Sequence, residues 1–315
     1  IYGRVVGFTE EDNFYYTETV FNATAGQTSF SVTHTVGWIL VFRNGELLGT
    51  ADYSETGTTV VMNNACAANE KVVVIYMRGN STSEYYEPLN ITIASSTSNT
   101  VTYSSLPWNQ VAAGDVLAFA NTGSPSLYTV QSVNQSTKVI TFTTSISGAT
   151  AGLQIYRHRA AGSDYAPFTR YDQDVTAITS YLPTTYKIRN GFEFIFVNGV
   201  QFSEIDYDID INTAAINGFP SALTGKLTII QFSQNNLGVP ASNIANNPAY
   251  TVSGQSTYPF NSNPLSMEVY ANGCLLTKGS GYDYTASSAS WVLSTPFDNN
   301  ITLLNQQTFA RIGAA

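Results

Sequence analysis

Charge is scarce in this chain of 315 residues, in which Asp, Glu, Lys and Arg together make up only 11%. Ordinary soluble domains carry about 25% charged residues. The net charge is -9 and the pI is about 4.6. No stretch approaches the roughly 18 consecutive apolar residues of a membrane helix. Because an acidic surface attracts neither phosphate backbones nor anionic lipid, we expect no nucleic-acid partner and no membrane insertion.

Cysteine and histidine are equally scarce, with two residues of each. Cys66 and Cys274 do not form a metal-ligand motif, and we interpret both as small buried apolar residues. His34 lies in an alternating segment and His158 lies between two arginines, and we interpret neither as a general base. The chain also lacks the G-x-S-x-G, H-E-x-x-H and P-loop patterns. We therefore expect no enzymatic activity and no cofactor.

What the chain has in abundance is alternation of polar and apolar residues. Examples are TSFSVTHTV at 28–36, VVVIYM at 72–77 and FEFIFVNG at 192–199. Such runs, rich in Val, Ile, Thr, Tyr and Phe, are typical of half-buried strands. No segment of ten or more residues keeps a helical period of 3.6. The sequence predicts an all-β chain of tandem small sandwich or barrel modules joined by short linkers.

Three segments share an Asn-Gly pair after an apolar strand, followed by an Asp-Tyr pair. They contain Asn44, Gly45, Asp52 and Tyr53; Asn198, Gly199, Asp206 and Tyr207; and Asn272, Gly273, Asp283 and Tyr284. Asn and Gly both tolerate positive φ, so each Asn-Gly pair predicts a two-residue type I′ hairpin turn. The first two copies have the same spacing between the pairs, whereas the third has a longer second loop. We interpret the three segments as copies of one structural repeat.

The copies divide the chain into five parts. The predicted parts are a connecting or docking segment at 1–20, repeats at 21–79, 172–235 and 250–315, and a distinct inserted β module at 91–158. One repeat of about 60 residues buries too little apolar surface to be more than marginally stable alone. We therefore expect the modules to stack on one another or on copies of the chain.

The first copy, residues 21–77, has four distinctive stretches: Ala25 to Phe30, Val41 to Gly45, Asp52 with Tyr53, and Asn69 to Val74. Together they resemble the short β repeat common in bacteriophage tail fibres and other virion appendages. The likeness is good over this copy, partial over 175–232 and weak over 251–304.

The resemblance implies a structural part of a virion, assembled in the cytoplasm of a bacterial host. A tail-fibre or tail-appendage segment is the first expectation, formed as a homotrimer that contacts other virion proteins. A capsid decoration or head-fibre protein is the alternative in the same class. A module that binds a host surface glycan is a second alternative, with Tyr85, Tyr86 and Trp108 as candidate stacking residues.

One acidic run, SEIDYDIDIN at 203–212, has several interpretations. In a strand, Glu204, Asp206, Asp208 and Asp210 would share one face. A solvated acidic edge that prevents strand-to-strand aggregation is the favoured interpretation. A Ca²⁺ site at Asp206, Asp208 and Asp210 is an alternative. The carboxyl pair of a glycoside hydrolase, drawn from Glu204 and Asp208, is another.

Overall fold

A computed structural model of the chain describes residues 12–81, 84–107, 111–120, 123–166, 168–188, 193–202, 207–210, 213–219, 221–232, 256–259, 269–271, 274–286 and 290–295. Every regular secondary-structure element in these ranges is a β-strand, which confirms the all-β prediction. None of the ranges contains a helix with the length and hydropathy needed to cross a membrane. The strands form three related units, which we call repeats 1, 2 and 3, and one closed barrel.

Repeat 1, residues 12–81, is a sandwich of two antiparallel sheets. Its strands are β1 (Asp12–Asn22), β2 (Ser29–Ser31), β3 (Ile39–Arg43), β4 (Glu46–Leu47), β5 (Tyr53–Thr56), β6 (Thr59–Met62) and β7 (Lys71–Ser81). One sheet has the order β1-β7-β3-β4 and the other has the order β2-β6-β5. Phe30 and Val60 of the second sheet pack against Val41 and Val74 of the first, and together they form the sandwich core.

Strand β3 is buried on both of its faces. Ile39 and Val41 belong to the sandwich core of repeat 1, whereas Leu40 and Phe42 belong to another core on the opposite face of the sheet. Strand β7 is divided between the two cores in the same way. A strand covered on both faces is encoded by a continuous apolar run, so the large sheet of repeat 1 needs a second layer against it.

A closed six-stranded barrel follows repeat 1. Its strands are β8 (Tyr85–Ser96), β9 (Thr100–Tyr103), β10 (Val116–Ala118), β11 (Tyr128–Asn134), β12 (Val139–Phe142) and β13 (Gln154–Arg159). They pair in the order β10-β11-β12-β9-β8-β13, and β13 pairs with β10 to close the barrel. The chain then returns through β14 (Asp164–Tyr165), which pairs with β7. The barrel is thus an insertion beside the sheet of repeat 1, and it begins at Tyr85 rather than at residue 91.

A group of charged residues on the barrel includes one, Arg159, that contacts the sheet of repeat 1. The guanidinium of Arg157 lies 3.4 Å from Glu87 Oε2 and 3.0 Å from Asp115 Oδ2. Arg159 donates to the same Glu87 oxygen at 3.1 Å. The Arg159 guanidinium also lies over the ring of Tyr165, 5.4 Å from its centroid. Because Tyr165 belongs to β14, this contact holds the barrel against the sheet of repeat 1.

Repeat 2, residues 168–232, reproduces the large sheet of repeat 1. Its strands are β15 (Phe168–Ile178), β16 (Glu193–Val197), β17 (Val200–Gln201), β18 (Asp208–Ile209), β19 (Ile216–Asn217) and β20 (Leu223–Phe232). The order β15-β20-β16-β17 corresponds strand for strand to β1-β7-β3-β4. Tyr181 makes an isolated bridge with Ile216, in the place where Phe30 pairs with Val60 in repeat 1.

Repeat 3 is described in part, between residues 256 and 295. Its strands are β21 (Thr257–Pro259), β22 (Val269–Ala271), β23 (Cys274–Leu276), β24 (Tyr284–Ala286) and β25 (Ser290–Leu293). The sheet β21-β25-β24 corresponds to β2-β6-β5 of repeat 1, and the hairpin β22-β23 corresponds to β3-β4. Tyr284 pairs with Leu293 as Tyr53 pairs with Met62. The three predicted copies therefore have one topology over the strands described.

The repeats begin earlier than the sequence predicts. Strand β1 pairs with β7 along its whole length, so residues 12–20 belong to the sheet of repeat 1 rather than to a separate connecting segment. Strand β15 likewise starts at Phe168, ahead of the predicted start at residue 172. In both repeats the added strand lies at the edge of the large sheet. It pairs there with the last strand of the repeat, β7 or β20, which we call the closing strand. Residues 1–11 lie outside the described part of the chain.

The three repeats share one core, which we call the central core. It lies between the large sheets, on the faces turned away from the individual sandwiches. Its buried members are Leu40, Phe42, Leu47, Val73, Ile75 and Met77 of repeat 1, Phe168, Phe194, Phe196, Ile230 and Phe232 of repeat 2, and Leu275 of repeat 3. The second layer that β3 and β7 require is thus supplied by the other repeats of the same chain.

Candidate functional site

The Asn-Gly hairpins form the contacts between repeats, and their turns have the required backbone geometry. Asn44 and Gly45 have φ of 50° and 87°, and Asn198 and Gly199 have φ of 50° and 79°. Positive φ at both central residues defines a type I′ turn. In repeat 3, Ala271 pairs with Cys274, which leaves a two-residue connection at Asn272 and Gly273, outside the described residues.

The turn residues Asn44 and Asn198 also form hydrogen bonds to the closing strand of their repeat. The backbone N of Lys71 donates to Asn44 Oδ1 at 2.9 Å, and Asn44 N donates to Lys71 O at 2.8 Å. Lys226 and Asn198 make the same two bonds at 2.9 and 2.8 Å. A Gly in place of the Asn would keep the turn but lose the side-chain bond. The Asn therefore places the following Gly at a fixed position relative to the sheet.

The turn of one repeat accepts a hydrogen bond from the edge strand of the next. Leu47 N of repeat 1 donates to Gly199 O of repeat 2 at 2.9 Å, and Leu275 N of repeat 3 donates to Gly45 O of repeat 1 at 2.9 Å. We call these contacts junction 1–2 and junction 3–1. They use equivalent atoms, and all three repeats contribute to one core. Two successive head-to-tail contacts beside a shared core are the arrangement of a ring with local three-fold symmetry, in which the third contact would involve Gly273, outside the described residues.

Glycine is required at the turns because the neighbouring repeat approaches so closely. A Cβ at Gly199 would lie 2.7 Å from Leu47 O, and a Cβ at Gly45 would lie 2.8 Å from Leu275 O. Both distances are shorter than any ordinary carbon–oxygen contact. The Asn-Gly pair thus serves the local turn and the contact between repeats at once.

The Asp of each described Asp-Tyr pair has a structural role in the loop after the hairpin. Asp52 Oδ2 accepts from Gly49 N at 2.7 Å, and Asp283 Oδ2 accepts from Thr277 N at 2.8 Å. The tyrosines Tyr53, Tyr207 and Tyr284 are all buried. Burial raises the pKa of Tyr53 to about 12, so this phenol remains neutral and packs as a core residue.

The two described junctions differ in their charges. At junction 3–1, Lys71 Nζ forms an ion pair with Asp283 Oδ1 at 3.0 Å and lies 5.3 Å from the ring centroid of Tyr282. At junction 1–2, the equivalent lysine is Lys226, which lies near Gly49 beside a cavity of about 300 Å³. The cavity is lined by residues of both repeats, including Asp52 and Asn198.

Asp172 of β15 holds repeat 1 against repeat 2. Its Oδ2 accepts from Thr50 N at 3.1 Å and from Thr50 Oγ1 at 2.8 Å, and its Oδ1 accepts from Thr228 Oγ1 at 2.6 Å. Arg170 Nε lies 3.1 Å from Asp172 Oδ1, and the same guanidinium donates to Leu48 O. Burial alone would raise the pKa of Asp172, but Arg170 and the hydrogen bonds from Thr228 and Thr50 outweigh it and lower the pKa.

Acid should weaken junction 1–2 through Asp172. A carboxylate with a lowered folded-state pKa contributes stability that is present above its unfolded pKa of about 3.9 and is lost as the pH falls through the folded value. We expect Asp172→Asn to be less stable than wild type by about 1–3 kcal/mol at pH 7. The difference should shrink between about pH 5 and pH 2, as the wild-type carboxyl is protonated.

Urea unfolding of both proteins at a series of pH values measures this difference. Asp164→Asn is the matched control, because the Asp164 carboxylate is largely exposed beside Arg78 and an exposed ion pair contributes little. A stability difference between wild type and Asp172→Asn that stays constant down to pH 2 would contradict the role assigned to Asp172.

The acidic run is described only at Asp208 and Asp210. Asp208 is exposed in the two-residue strand β18, and Asp210 Oδ1 accepts from Thr213 N at 3.2 Å. Glu204 and Asp206 lie outside the described residues. The structure therefore describes only two of the four carboxylates in the predicted row. Within the described ranges, no three side chains of His, Cys, Asp or Glu are grouped as metal ligands.

Two of the three candidate glycan-stacking residues are described. Tyr85 and Tyr86 are half-buried at the start of β8, opposite Arg159 and His158 of β13. Tyr86 Oη donates to Glu84 Oε1 at 2.8 Å, and its ring centroid lies 5.4 Å from that of His158. Trp108 lies outside the described residues. Glycan contact at these residues stays a prediction.

The histidines and cysteines occupy structural positions. His34 is buried, with Nδ1 2.8 Å from Val32 O and Nε2 2.8 Å from Glu55 Oε2. Cys66 is a free thiol in the sandwich core of repeat 1, and burial raises its pKa. Cys274 is a free, half-buried thiol in β23. Cys66 is therefore buried as expected, whereas Cys274 is only half-buried.

Several residues of the junctions were not singled out from the sequence. Lys71 of β7 and Lys226 of β20 each donate a backbone N–H to the turn Asn of their repeat, and alignment of EKVVVIYM with GKLTIIQF brings them into register. Gly49 and Asp172 carry no such signal, because their partners lie in another repeat.

Comparison with known protein families, with curated proteins and with solved structures gives no match for this chain.

Proposed function

We propose that this protein is a non-enzymatic structural component of a bacteriophage virion, a tail-fibre or tail-appendage segment. The observation that carries the proposal is the central core, to which all three repeats contribute and beside which two equivalent head-to-tail contacts are described. The repeat resembles one found in virion appendages, and its Asn-Gly, Asp-Tyr and closing-strand residues are the ones that shape the sandwich and its junctions.

The homotrimer expected from the sequence is not tested by the structure, and we propose a single-chain arrangement in its place. The apolar faces that three subunits would turn toward one another are buried here between repeats of one chain. We propose that the three repeats take the place of three subunits, so that one chain occupies a three-fold position of the particle. This arrangement also places one barrel, rather than three, at each such position.

Capsid decoration is the alternative function within the same class. Repeats packed around one core also fit a knob on the particle surface, which is the shape that this alternative requires. Light scattering and electron microscopy of the isolated protein distinguish a knob from an elongated fibre segment.

Labelling of intact particles tests the proposed function. We expect antibodies against the barrel to mark the tail of purified phage particles in electron micrographs. Label on the capsid lattice would support the decoration alternative. Particles that carry no label while the host lysate contains the protein would contradict both.

A further inference from the structure

Junction 1–2 contains a cavity at a position that is filled at junction 3–1. The filled position is Thr277, which is 2% exposed, and its counterpart in repeat 1 is Gly49. A Cβ at Gly49 would lie 2.7 Å from Lys226 Nζ and 2.8 Å from Asp52 Oδ2. The absence of a side chain at residue 49 therefore keeps open the cavity of about 300 Å³ between the two repeats.

The lysine at this cavity lacks the ion pair that its counterpart makes. Lys71 pairs with Asp283 at 3.0 Å. No carboxylate of the described residues lies within ion-pair distance of Lys226 Nζ, and the neighbouring Asp52 carboxylate instead accepts from Gly49 N. The ammonium group of Lys226 thus lines the cavity without a direct ion pair to a described carboxylate, and Asp174 lies opposite Lys226 on β15.

The rim of the cavity adds hydrogen-bond acceptors. Glu46 and Asn64 are exposed, line the cavity, and make no side-chain hydrogen bond within the described part of the chain. Their oxygens accept from hydroxyl donors. The nearby carboxylates of Glu46 and Asp52 repel any anion, and they repel a dianion such as hydrogen phosphate more strongly than a singly charged carboxylate, because the repulsion grows with the charge of the ligand.

We propose that this cavity binds a carboxylated sugar unit of the hexuronate type. The sugar carboxylate pairs with Lys226 Nζ, and ring hydroxyls donate to Glu46 and Asn64. A cavity of this volume lies at the small end of ligand sites, which suits one sugar ring. The site would give the protein a carbohydrate contact in addition to its structural role, and its test does not depend on the virion assignment.

Titration calorimetry on the full chain tests the site with defined probes. We expect saturable binding of glucuronate. Binding of glucose and of inorganic phosphate should be weaker by about ten-fold or more, because glucose lacks the carboxylate and phosphate lacks the ring hydroxyls. A short polyuronate distinguishes a polysaccharide from a free sugar as the ligand. Binding of both monomer and polyuronate assigns the site to a polysaccharide, and binding of the monomer alone assigns it to a free sugar.

Two matched variants locate the binding. Lys226→Ala should weaken glucuronate binding by about ten-fold or more, whereas Lys71→Ala, which alters the equivalent lysine of the other junction, should leave it within about two-fold. Gly49→Thr, which copies the residue of repeat 3, should also abolish binding. Absence of glucuronate binding in wild type, equal binding of phosphate, or unchanged binding by Lys226→Ala would each overturn the proposal.

Discussion

Replacement of Phe196 by Ala should lower the free energy of unfolding by about 3–5 kcal/mol, the range for a fully buried Phe. Phe196 is 0% exposed and belongs to the central core rather than to the sandwich core of its own repeat. Its ring centroid lies 6.4 Å from that of Phe42 in an edge-on contact between repeats 2 and 1. The truncation therefore leaves a cavity where two repeats meet, and chemical denaturation measures its cost.

A double-mutant cycle isolates the part of this effect that belongs to the junction. We expect Phe42→Ala and Phe196→Ala to be coupled by about 0.5–3 kcal/mol, as residues in contact usually are. Leu182→Ala is the control within repeat 2, because Leu182 is 56% exposed and its truncation should cost about 0.5 kcal/mol or less. Strict additivity of the two Phe variants would contradict the packing of repeat 1 on repeat 2.

Replacement of Gly199 by Ala is the second large effect. The added methyl group meets Leu47 O of the neighbouring repeat at 2.7 Å, and the residue keeps a φ of 79° that is unfavourable for Ala. We expect a loss of about 1–2 kcal/mol from the backbone conformation. A further loss of about 1–3 kcal/mol should come from the overpacked junction.

Gly26→Ala separates these two costs. Gly26 has a similar φ of 82°, but nothing lies within 4 Å of a Cβ built there. It therefore carries the backbone cost alone, and thermal or urea unfolding of both variants gives the junction cost as the difference. Gly45→Ala repeats the test at junction 3–1. Equal destabilisation by Gly26→Ala and Gly199→Ala would show that the neighbouring repeat does not lie against the turn.

The parts of the fold that could be predicted are those with local causes. Positive φ at Asn44 and Gly45 depends only on which residues tolerate that conformation, so the hairpins and their number follow from the sequence. The added strands β1 and β15 have no such signal, since each pairs with a strand that lies some 50 residues further along the chain. Their place in the sheets is set by tertiary contacts.

The sequence signals the central core but does not identify what covers it. ILVF in β3 and VVVIYM in β7 are apolar on both faces, which indicates burial on both sides, so the interpretation of VVVIYM as a half-buried alternating strand is wrong. The partners of these faces could not be deduced, because a single sequence does not distinguish another repeat of the chain from another subunit. The contact between Lys71 and Asp283 spans 212 residues, and Gly49 acquires its significance only beside Lys226.

The mass of the native protein in solution tests the arrangement of repeats most directly. Sedimentation equilibrium at low micromolar concentration should give 34.1 kDa, the mass of one chain, because the apolar faces of the large sheets are already covered within it. A species of three times that mass that does not dissociate on dilution would show that the repeats pair between chains, and would contradict the single-chain ring.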